Sequence, residues 1–202
     1  MEQRDTFFDA LADQHWATAD NLLEPGLAQG LYQACRQEWD AGHFHEARIG
    51  RQHSQSLRAD IRGDSICWLT PGNPDSPAHR FLGWAETLRQ DLNRLFYAGL
   101  NSAEFHFARY PEGRGYKKHL DQHYQHTQRR LSLVLYLNPQ WAGTDGGELC
   151  LYSPDDAALE IKRILPQPGR LVVFRSDLIQ HEVLPCAQPR WSLTGWFRND
   201  QA

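Results

Sequence analysis

A short segment of the chain, residues 116–121, places an imidazole and a carboxylate two residues apart, at His119 and Asp121. On an extended strand the side chains of residues i and i+2 project to the same face, so both groups can reach one metal ion. A third ligand is available at His181, 60 residues beyond Asp121, and Arg190 follows that histidine by nine residues. These four residues predict a metal site with a cation beside it.

The ligand types indicate the chemistry of this site. Two histidines and one carboxylate on one face of an ion leave the opposite face open, as in non-haem Fe(II) oxygenases. A His-x-Asp pair alone is a weak signal, because a chain with 10 histidines and 25 acidic residues contains such pairs by chance. The combination with His181 and Arg190, both in apolar strand-like sequence, is more specific. We therefore predict a metal centre rather than unrelated surface or core residues.

Arg190 opens a predicted strand whose residues alternate between two faces. One face carries Arg190, Ser192, Thr194 and Trp196. A buried arginine needs an anionic partner, because an unpaired interior charge is very costly. That partner is either a fixed Asp or Glu or the carboxylate of a ligand, whose remaining lone pairs are met by hydroxyl groups. Tyr110 and Tyr136 offer such hydroxyls on neighbouring predicted strands.

The composition indicates one globular domain and excludes several classes of partner. With 202 residues, 41% of them hydrophobic, the chain can form one sizeable core. A net charge of −4 gives no electrostatic footprint for nucleic-acid binding. The first residues are polar and no apolar run approaches the ~18 residues of a membrane span, so we expect a cytoplasmic monomer without a signal peptide. The four cysteines lie far apart and are expected to be reduced and buried, although an even count also allows disulfides.

Periodicity predicts helices in the first half of the chain and strands in the second. Helices are predicted at residues 5–14, at residues 25–42 and after Pro77, where Phe81, Ala85, Leu88, Leu92 and Leu95 share a face. Early strands are predicted at 16–23, 44–49 and from 65. Later strands are predicted at 104–110, 131–137, 148–152, 159–165, 169–174, 178–183 and 190–198. This order favours a single domain over 1–202, in which helical support (about 1–100) braces a β core (about 101–198).

The sequence resembles the Fe(II)- and 2-oxoglutarate-dependent dioxygenases, and among them the prolyl 4-hydroxylases of the hypoxia-inducible-factor type and their bacterial relatives. The matching segments are 61–68 (IRGDSICW), 110–121 (YPEGRGYKKHLD), 136–138 (YLN), Trp141, 146–149 (GGEL), 181–185 (HEVLP) and 190–196 (RWSLTGW). The resemblance implies a mainly β, double-stranded β-helix (jelly-roll) core braced by two or three helices. It also implies hydroxylation of a protein prolyl residue at the 4-position, with Fe(II), 2-oxoglutarate and O2, and with ascorbate as a supporting reductant.

The same resemblance implies roles for individual residues. His119, Asp121 and His181 would bind iron. Arg190, helped by Tyr136, would pair with the distal carboxylate of 2-oxoglutarate, and Tyr110 would also hydrogen-bond this cosubstrate. Its pocket would be lined by Val134, Leu149, Val183, Thr194 and Trp196. The mouth that admits the peptide would be flanked by Asp64 and Arg129.

Two features depart from the animal enzymes of this family, and both bear on substrate choice. His106 replaces an apolar residue, and the loop 122–128 is unlike theirs. His106 shares a predicted face with Tyr110, so it either points to the cosubstrate pocket or is an ordinary hydrogen-bonded core histidine. Residues 52–60 are polar and aperiodic, which predicts a mobile lid within 50–75 that grips a peptide, with Asp64 and Arg129 pairing on closure. The bacterial relatives suggest elongation factor Tu as the substrate.

Other interpretations stay open. One alternative is a 2-oxoglutarate oxygenase that acts on another peptide residue or on a small molecule. A nucleobase demethylase is disfavoured, because many of those carry a second arginine six residues after the first, where this chain has Trp196. A zinc site suits two histidines and an aspartate but gives Arg190 no role. A non-catalytic metal-binding β-barrel would show no turnover of 2-oxoglutarate.

Overall fold

The computed structural model describes residues 2–47, 61–122 and 127–200. Within these ranges the chain forms three α-helices, α1 (Glu2–Gln14), α2 (Leu27–Asp40) and α3 (Pro77–Phe96). The strands in the same ranges are β1 (Trp16–Asp20), β2 (His45–Glu46), β3 (Ser65–Trp68), β4 (Ser102–Tyr110), β5 (Tyr116–His119), β6 (Arg129–Tyr136), β7 (Leu149–Tyr152), β8 (Glu160–Ile164), β9 (Arg170–Arg175), β10 (His181–Val183) and β11 (Arg190–Arg198). None of the described helices is long and apolar enough to cross a membrane.

The strands form two antiparallel sheets. The major sheet has the order β1-β9-β6-β11-β4-β3-β2, and the minor sheet has the order β5-β10-β7-β8. Side chains from both sheets meet in one apolar cluster, which includes Tyr136 and Phe174 of the major sheet and Leu149 and Val183 of the minor sheet. Two antiparallel sheets around a shared interior agree with the predicted jelly-roll, and helices before strands agree with the predicted order.

The helices cover the outer face of the major sheet. A second apolar cluster joins Leu31 of α2 and Phe81 of α3 to Leu193 and Phe197 of β11. Because side chains alternate along a strand, Arg190 and the residues in step with it project the other way, into the space between the sheets. This is the division of faces that the alternation of residues 190–197 predicts.

The longest helix, α3, begins where its sequence signals place it. The side chain of Ser76 accepts a hydrogen bond from the backbone N–H of His79 at 3.1 Å, and Pro77 occupies the first turn. Four of the five residues predicted to form its buried face are buried: Phe81, Ala85, Leu88 and Leu92. The prediction is wrong for Leu95, which is 46% exposed, because in the last turn Phe96 packs against the core instead.

Several boundaries differ from the prediction. Pro25 lies outside α2, whose N-cap is Gly26 in a left-handed conformation (φ 80°), while Gly42 follows the end of the helix as predicted, with φ 76°. The strand predicted at 16–23 ends at Asp20, and the strand predicted at 44–49 is described only as β2. The predicted lid loop at 52–60 lies outside the described residues. All four cysteines are buried and free, which confirms the prediction of reduced thiols.

We expect Gly195→Ala to destabilise the fold. Gly195 lies in β11, and a Cβ atom there would overlap the carbonyl oxygen of Glu104 and the ring of Phe105 on β4. Overpacking of this kind lowers the free energy of unfolding by about 1–3 kcal/mol. The matched control is Gly83→Ala in α3, where an added Cβ meets no atom within 4 Å. This substitution is expected to raise the free energy of unfolding by about 0.5–1 kcal/mol, because alanine is favoured over glycine inside a helix. Thermal unfolding followed by circular dichroism measures both, and an unchanged melting temperature for Gly195→Ala would contradict the packing argument.

Candidate metal centre and cosubstrate pocket

The three predicted ligands meet at one edge of the minor sheet. His119 ends β5 and His181 begins β10, and the antiparallel register places these two histidines opposite each other. Asp121 lies beyond the end of β5, in a bend, so the expectation that both members of the His-x-Asp pair lie on a strand is wrong for Asp121. The bend nevertheless places the Asp121 carboxylate beside the two imidazoles. One ligand atom from each of the three residues lies within 4.8 Å of the others.

Hydrogen bonds to the backbone orient both imidazole rings. Nδ1 of His119 lies 2.7 Å from the carbonyl oxygen of Lys117, and Nδ1 of His181 lies 3.1 Å from that of Ile179. With a proton on Nδ1 donated to a carbonyl, Nε2 keeps its lone pair, which is the form that binds a metal. The Nε2 atoms lie 3.5 Å and 3.6 Å from the two carboxylate oxygens of Asp121. The rings are therefore aimed at a common point before any metal binds.

The protonation states also suit metal binding. Burial, reinforced by the neighbouring His119, lowers the pKa of His181 to about 4, so this imidazole is neutral at physiological pH. Burial alone would raise the pKa of Asp121, but the adjacent histidines and the hydroxyl of Ser132 hold it well below its ordinary value. A neutral imidazole and an ionised carboxylate are the forms that a metal ion requires.

We expect Ser132→Ala to weaken metal binding without abolishing it. The hydroxyl of Ser132 donates to Asp121 Oδ2 at 2.6 Å and lies 2.8 Å from that of Ser176, so it fixes the orientation of the carboxylate. Loss of such a supporting contact typically lowers metal affinity by about 10–100-fold. Titration of the metal-free protein with Mn(II) measures the change. Ser153→Ala, which removes a hydroxyl from a loop after β7, is the control, and equal affinity of the two variants would contradict the orienting role.

A buried cation without a fixed anion lies behind the three ligands. Arg190 is 2% exposed, and its Nε donates to the carbonyl oxygen of Gly147 at 2.9 Å. Its guanidinium carbon lies 5.2 Å and 4.9 Å from the ring centroids of Tyr110 and Tyr136. Within the described residues no carboxylate forms an ion pair with Arg190. A fixed Asp or Glu is therefore not the partner of this arginine in the described part of the chain. A ligand carboxylate is the partner that remains.

Two tyrosine hydroxyls can complete the contacts of such a carboxylate. The hydroxyl of Tyr136 is buried and has no hydrogen-bond partner among the described residues. Burial raises the pKa of both Tyr110 and Tyr136, so each hydroxyl keeps its proton and can donate a hydrogen bond to an anion. An unpartnered donor beside an unpaired guanidinium is the arrangement expected of an anion site that is completed by its ligand.

The part of the chain that holds the site matches a known protein family. A family model described as the 2OG-Fe(II) oxygenase superfamily matches residues 105–198. The crystal structure of a prolyl-4-hydroxylase from Pseudomonas putida is similar over the whole chain, with a TM-score of 0.85 and 36% identity, covering 96% of this chain and 98% of that one. The chain belongs to the 2OG-Fe(II) oxygenase superfamily. As a member, this oxygenase uses Fe(II), 2-oxoglutarate and O2.

Two further relatives are prolyl hydroxylases. A prolyl hydroxylase from Trichoplax adhaerens, solved with a peptide fragment of the hypoxia-inducible-factor oxygen degradation domain, has a TM-score of 0.81 and 25% identity, covering 96% of this chain and 88% of that one. Prolyl 3-hydroxylase OGFOD1 of Xenopus laevis is 37% identical over 76 residues. This last match covers 34% of the oxygenase but only 15% of the curated relative, so it concerns a small part of that protein.

The residues of the site fit the cofactor and the cosubstrate of the family. Two imidazoles and one carboxylate suit Fe(II) and leave open positions. Arg190, with the unpartnered hydroxyl of Tyr136, suits the distal carboxylate of 2-oxoglutarate. One cavity of about 120 Å³ connects the metal ligands with Arg190. The residues present therefore fit both the metal ion and the distal carboxylate of the cosubstrate.

The cavity brings together nearly all predicted site residues. Those that line it are Asp64, Tyr110, His119, Asp121, Arg129, Val134, Leu149, His181, Val183, Arg190, Thr194 and Trp196. Tyr136 is not part of the lining but lies fully buried behind Arg190. Residues that also line the cavity without a predicted role include Arg62, Tyr116 and Phe174. Arg62 and Tyr116 belong to the segments that carry the resemblance, so their position near Asp64 and His119 in sequence was the available signal.

The two residues predicted to flank the mouth are paired differently from the prediction. Asp64 makes a two-point ion pair with Arg62, at 2.7 Å and 3.0 Å. Arg129 donates to Glu104 at 2.9 Å, and its guanidinium lies 3.3 Å from the ring centroid of Trp196. The expected pair between Asp64 and Arg129 is therefore not formed here, because Asp64 pairs within its own segment and Arg129 pairs with Glu104 across the neighbouring strand β11.

Proposed function

We propose that this oxygenase hydroxylates a prolyl residue, at the 4-position, in a protein substrate. The observation that carries the proposal is the whole-chain similarity to a prolyl-4-hydroxylase, at 36% identity over 98% of that chain. The Trichoplax relative is described as a complex with a peptide fragment, which supports a peptide rather than a free amino acid as the substrate. The proposal treats the chain as one catalytic domain over residues 1–202.

We assign the binding roles to residues that the fold already orients. His119, Asp121 and His181 would hold Fe(II) with their inward-facing atoms. Arg190 and the Tyr136 hydroxyl would bind the distal carboxylate of 2-oxoglutarate in a site closed to water. When bound, Fe(II) and 2-oxoglutarate supply the oxidising chemistry, as reactive cofactors generally do.

The apolar walls of the cavity would exclude water from the reacting groups. Val134, Leu149 and Val183 present apolar side chains between the metal ligands and Arg190, and all three are buried. Excluding water strengthens the contact between a guanidinium and a carboxylate, because the local dielectric falls. Tyr110, beside Arg190, would donate a hydrogen bond from its hydroxyl to the cosubstrate and keep its proton.

The open end of the cavity suits an apolar ring on a peptide. Leu120 lines the cavity and is 38% exposed, so it presents an apolar side chain at the opening. Trp68, 43% exposed, lies beside His106 of the cavity wall, with their ring centroids 5.2 Å apart. A pyrrolidine ring would bury against such surfaces.

Mass spectrometry of proteins from cells with and without this gene tests the proposal. The expected result is a gain of one oxygen on a proline that depends on the gene, with 4-hydroxyproline identified against synthetic 3- and 4-hydroxyproline standards. Elongation factor Tu is the first purified protein to test, with 2-oxoglutarate and Fe(II) added. Oxygen on another residue or on a small molecule would replace the prolyl assignment, and no turnover of 2-oxoglutarate under any condition would favour the non-catalytic barrel.

A further inference from the structure

His106 is a buried polar side chain that no part of the described protein satisfies. It lies on β4, is 2% exposed and lines the cavity that contains the metal ligands. Its Nδ1 is completely buried without a hydrogen-bond partner among the described residues, so the alternative of an ordinary hydrogen-bonded core histidine is not met. The indole Nε1 of Trp196, whose ring centroid lies 5.4 Å from that of His106, is likewise buried and unpartnered. Unpaired buried polar atoms are rare in proteins, and two in one corner indicate a polar ligand.

The strand register places His106 away from the cosubstrate end of the cavity. Tyr110 pairs with Arg190, and His106 pairs with Thr194, four residues along the same two strands. At about 3.4 Å per residue the two backbone positions are roughly 14 Å apart along the strands. The backbone of His106 therefore lies at the other end of the cavity lining from that of Arg190.

The neighbours of His106 place it near the metal and toward the opening. Ser132, which donates to the metal ligand Asp121, pairs with Trp196, two residues past Thr194 on β11. On the other side of β4, His106 pairs with Trp68, which is 43% exposed. The imidazole thus lies between the metal centre and solvent, where a substrate must enter.

The ring of His106 is neutral and can both donate and accept. Burial, with a contribution from the nearby Arg62, lowers its pKa to about 3. A neutral imidazole carries one N–H and one lone pair, which match the carbonyl oxygen and N–H of peptide groups. A charged ring would instead favour an anion, and an apolar residue at this position would offer neither contact.

We propose that His106 is a specificity-determining residue that hydrogen-bonds a peptide group of the substrate next to the target proline. This inference rests on the proposed function, because it requires a peptide substrate. It assigns His106 to peptide recognition and not to the binding of 2-oxoglutarate or metal. An ordered water in the same corner is the competing occupant.

The test uses the full-length enzyme and a defined set of peptides. Acetylated pentapeptides with a central proline and randomised flanking positions are first screened with the wild-type enzyme, and the most extensively hydroxylated peptide is resynthesised. His106→Leu removes both ring nitrogens, and His106→Gln retains a donor and an acceptor. Phe107→Leu is the matched control, since Phe107 is the next residue on β4 and faces the helical core.

The expected result separates peptide recognition from cosubstrate binding. His106→Leu should lower kcat/KM for the peptide about tenfold, the effect of one lost hydrogen bond, mainly through a higher KM. Anaerobic calorimetry with the Mn(II)-loaded protein should show the same loss in peptide affinity, with the affinity for 2-oxoglutarate little changed. His106→Gln should recover most of the loss, and Phe107→Leu should lower thermal stability without changing the peptide KM.

Different results would overturn the inference and the proposed function. Wild-type peptide affinity in His106→Leu, or equal losses of peptide and 2-oxoglutarate affinity, would remove His106 from peptide recognition and leave the water as its partner. Prolyl hydroxylation by the wild-type enzyme would stand in that case. If the wild-type enzyme hydroxylates no prolyl peptide and no protein, the proposed function fails and the inference fails with it.

Discussion

Asp121→Ala is expected to abolish turnover of 2-oxoglutarate and to remove most of the metal affinity. Asp121 supplies the only carboxylate among the three ligand residues, and its two oxygens lie 3.5 Å and 3.6 Å from the Nε2 atoms of His119 and His181. Without it, two imidazoles would have to hold a divalent cation with no negatively charged ligand among the three candidate residues. We expect metal affinity to fall by more than about 100-fold, beyond the range typical for loss of a merely supporting contact.

The same outcome is expected for His119→Ala and His181→Ala, because each removes one of the three candidate ligands found among the described residues. Titration with Mn(II) measures metal binding, and succinate formation measures turnover. Glu182→Gln is the matched control, since Glu182 follows His181 in β10 but accepts a hydrogen bond from Tyr152 outside the cavity. Wild-type turnover in any one of the three ligand variants would show that the residue concerned is not a ligand. Loss of turnover in Glu182→Gln would show that disruption of β10, and not ligand loss, explains the His181 variant.

Alternation along strands carried most of what the sequence could predict about the site. In β11, period-two alternation correctly assigned Arg190 to the interior between the sheets and Leu193 to the helical core, because a strand has only two faces. The spacing of His119 and Asp121 predicted their proximity, although Asp121 reaches the site from a bend rather than from a strand. Two residues that are close in sequence stay close in space whatever the local conformation. The prediction that the two side chains lie near each other was therefore correct, although the strand conformation assumed for Asp121 was wrong.

Choices between competing partners could not be predicted. Asp64 has Arg62 two residues away and Arg129 on a distant strand, and only the three-dimensional register shows that Arg129 meets Glu104 instead. The sequence also left His106 between two roles. What decides between them is the absence of a hydrogen-bond partner within the described structure, which depends on every element that packs around the ring.

Helix ends and strand ends were the other weak point. Leu95 continues the apolar periodicity of α3, yet it is exposed, because in the last turn the neighbouring Phe96 packs against the core instead. Periodicity describes one helix, and it contains no information about where the neighbouring sheet stops. The grouping of the three candidate metal ligands could be predicted, because metal binding requires particular residue types, whereas packing at the ends of elements tolerates many.

Arg190→Ala is expected to weaken 2-oxoglutarate binding far more than metal binding. A charge-assisted contact between a guanidinium and a carboxylate contributes about 1.5–3 kcal/mol, which corresponds to a loss of affinity of roughly 10–150-fold. Arg190 is fully buried and no described residue neutralises it, so its removal also takes away an unpaired interior charge. The variant should therefore remain folded, and its melting temperature without ligand should not fall steeply.

Calorimetry of the Mn(II)-loaded protein distinguishes loss of the anion clamp from general damage to the cavity. With 2-oxoglutarate, the affinity of Arg190→Ala should fall as stated, and Tyr136→Phe should show a smaller loss, because it removes a single neutral hydrogen bond. With 2-oxobutanoate, which keeps the metal-binding end but has no distal carboxylate, the wild-type protein and Arg190→Ala should bind equally weakly. Arg163→Ala, which removes an arginine paired with Glu160 on β8, is the control for a general change in charge. Unchanged affinity of Arg190→Ala for 2-oxoglutarate, or an equal loss for both ligands, would exclude Arg190 as the partner of the distal carboxylate.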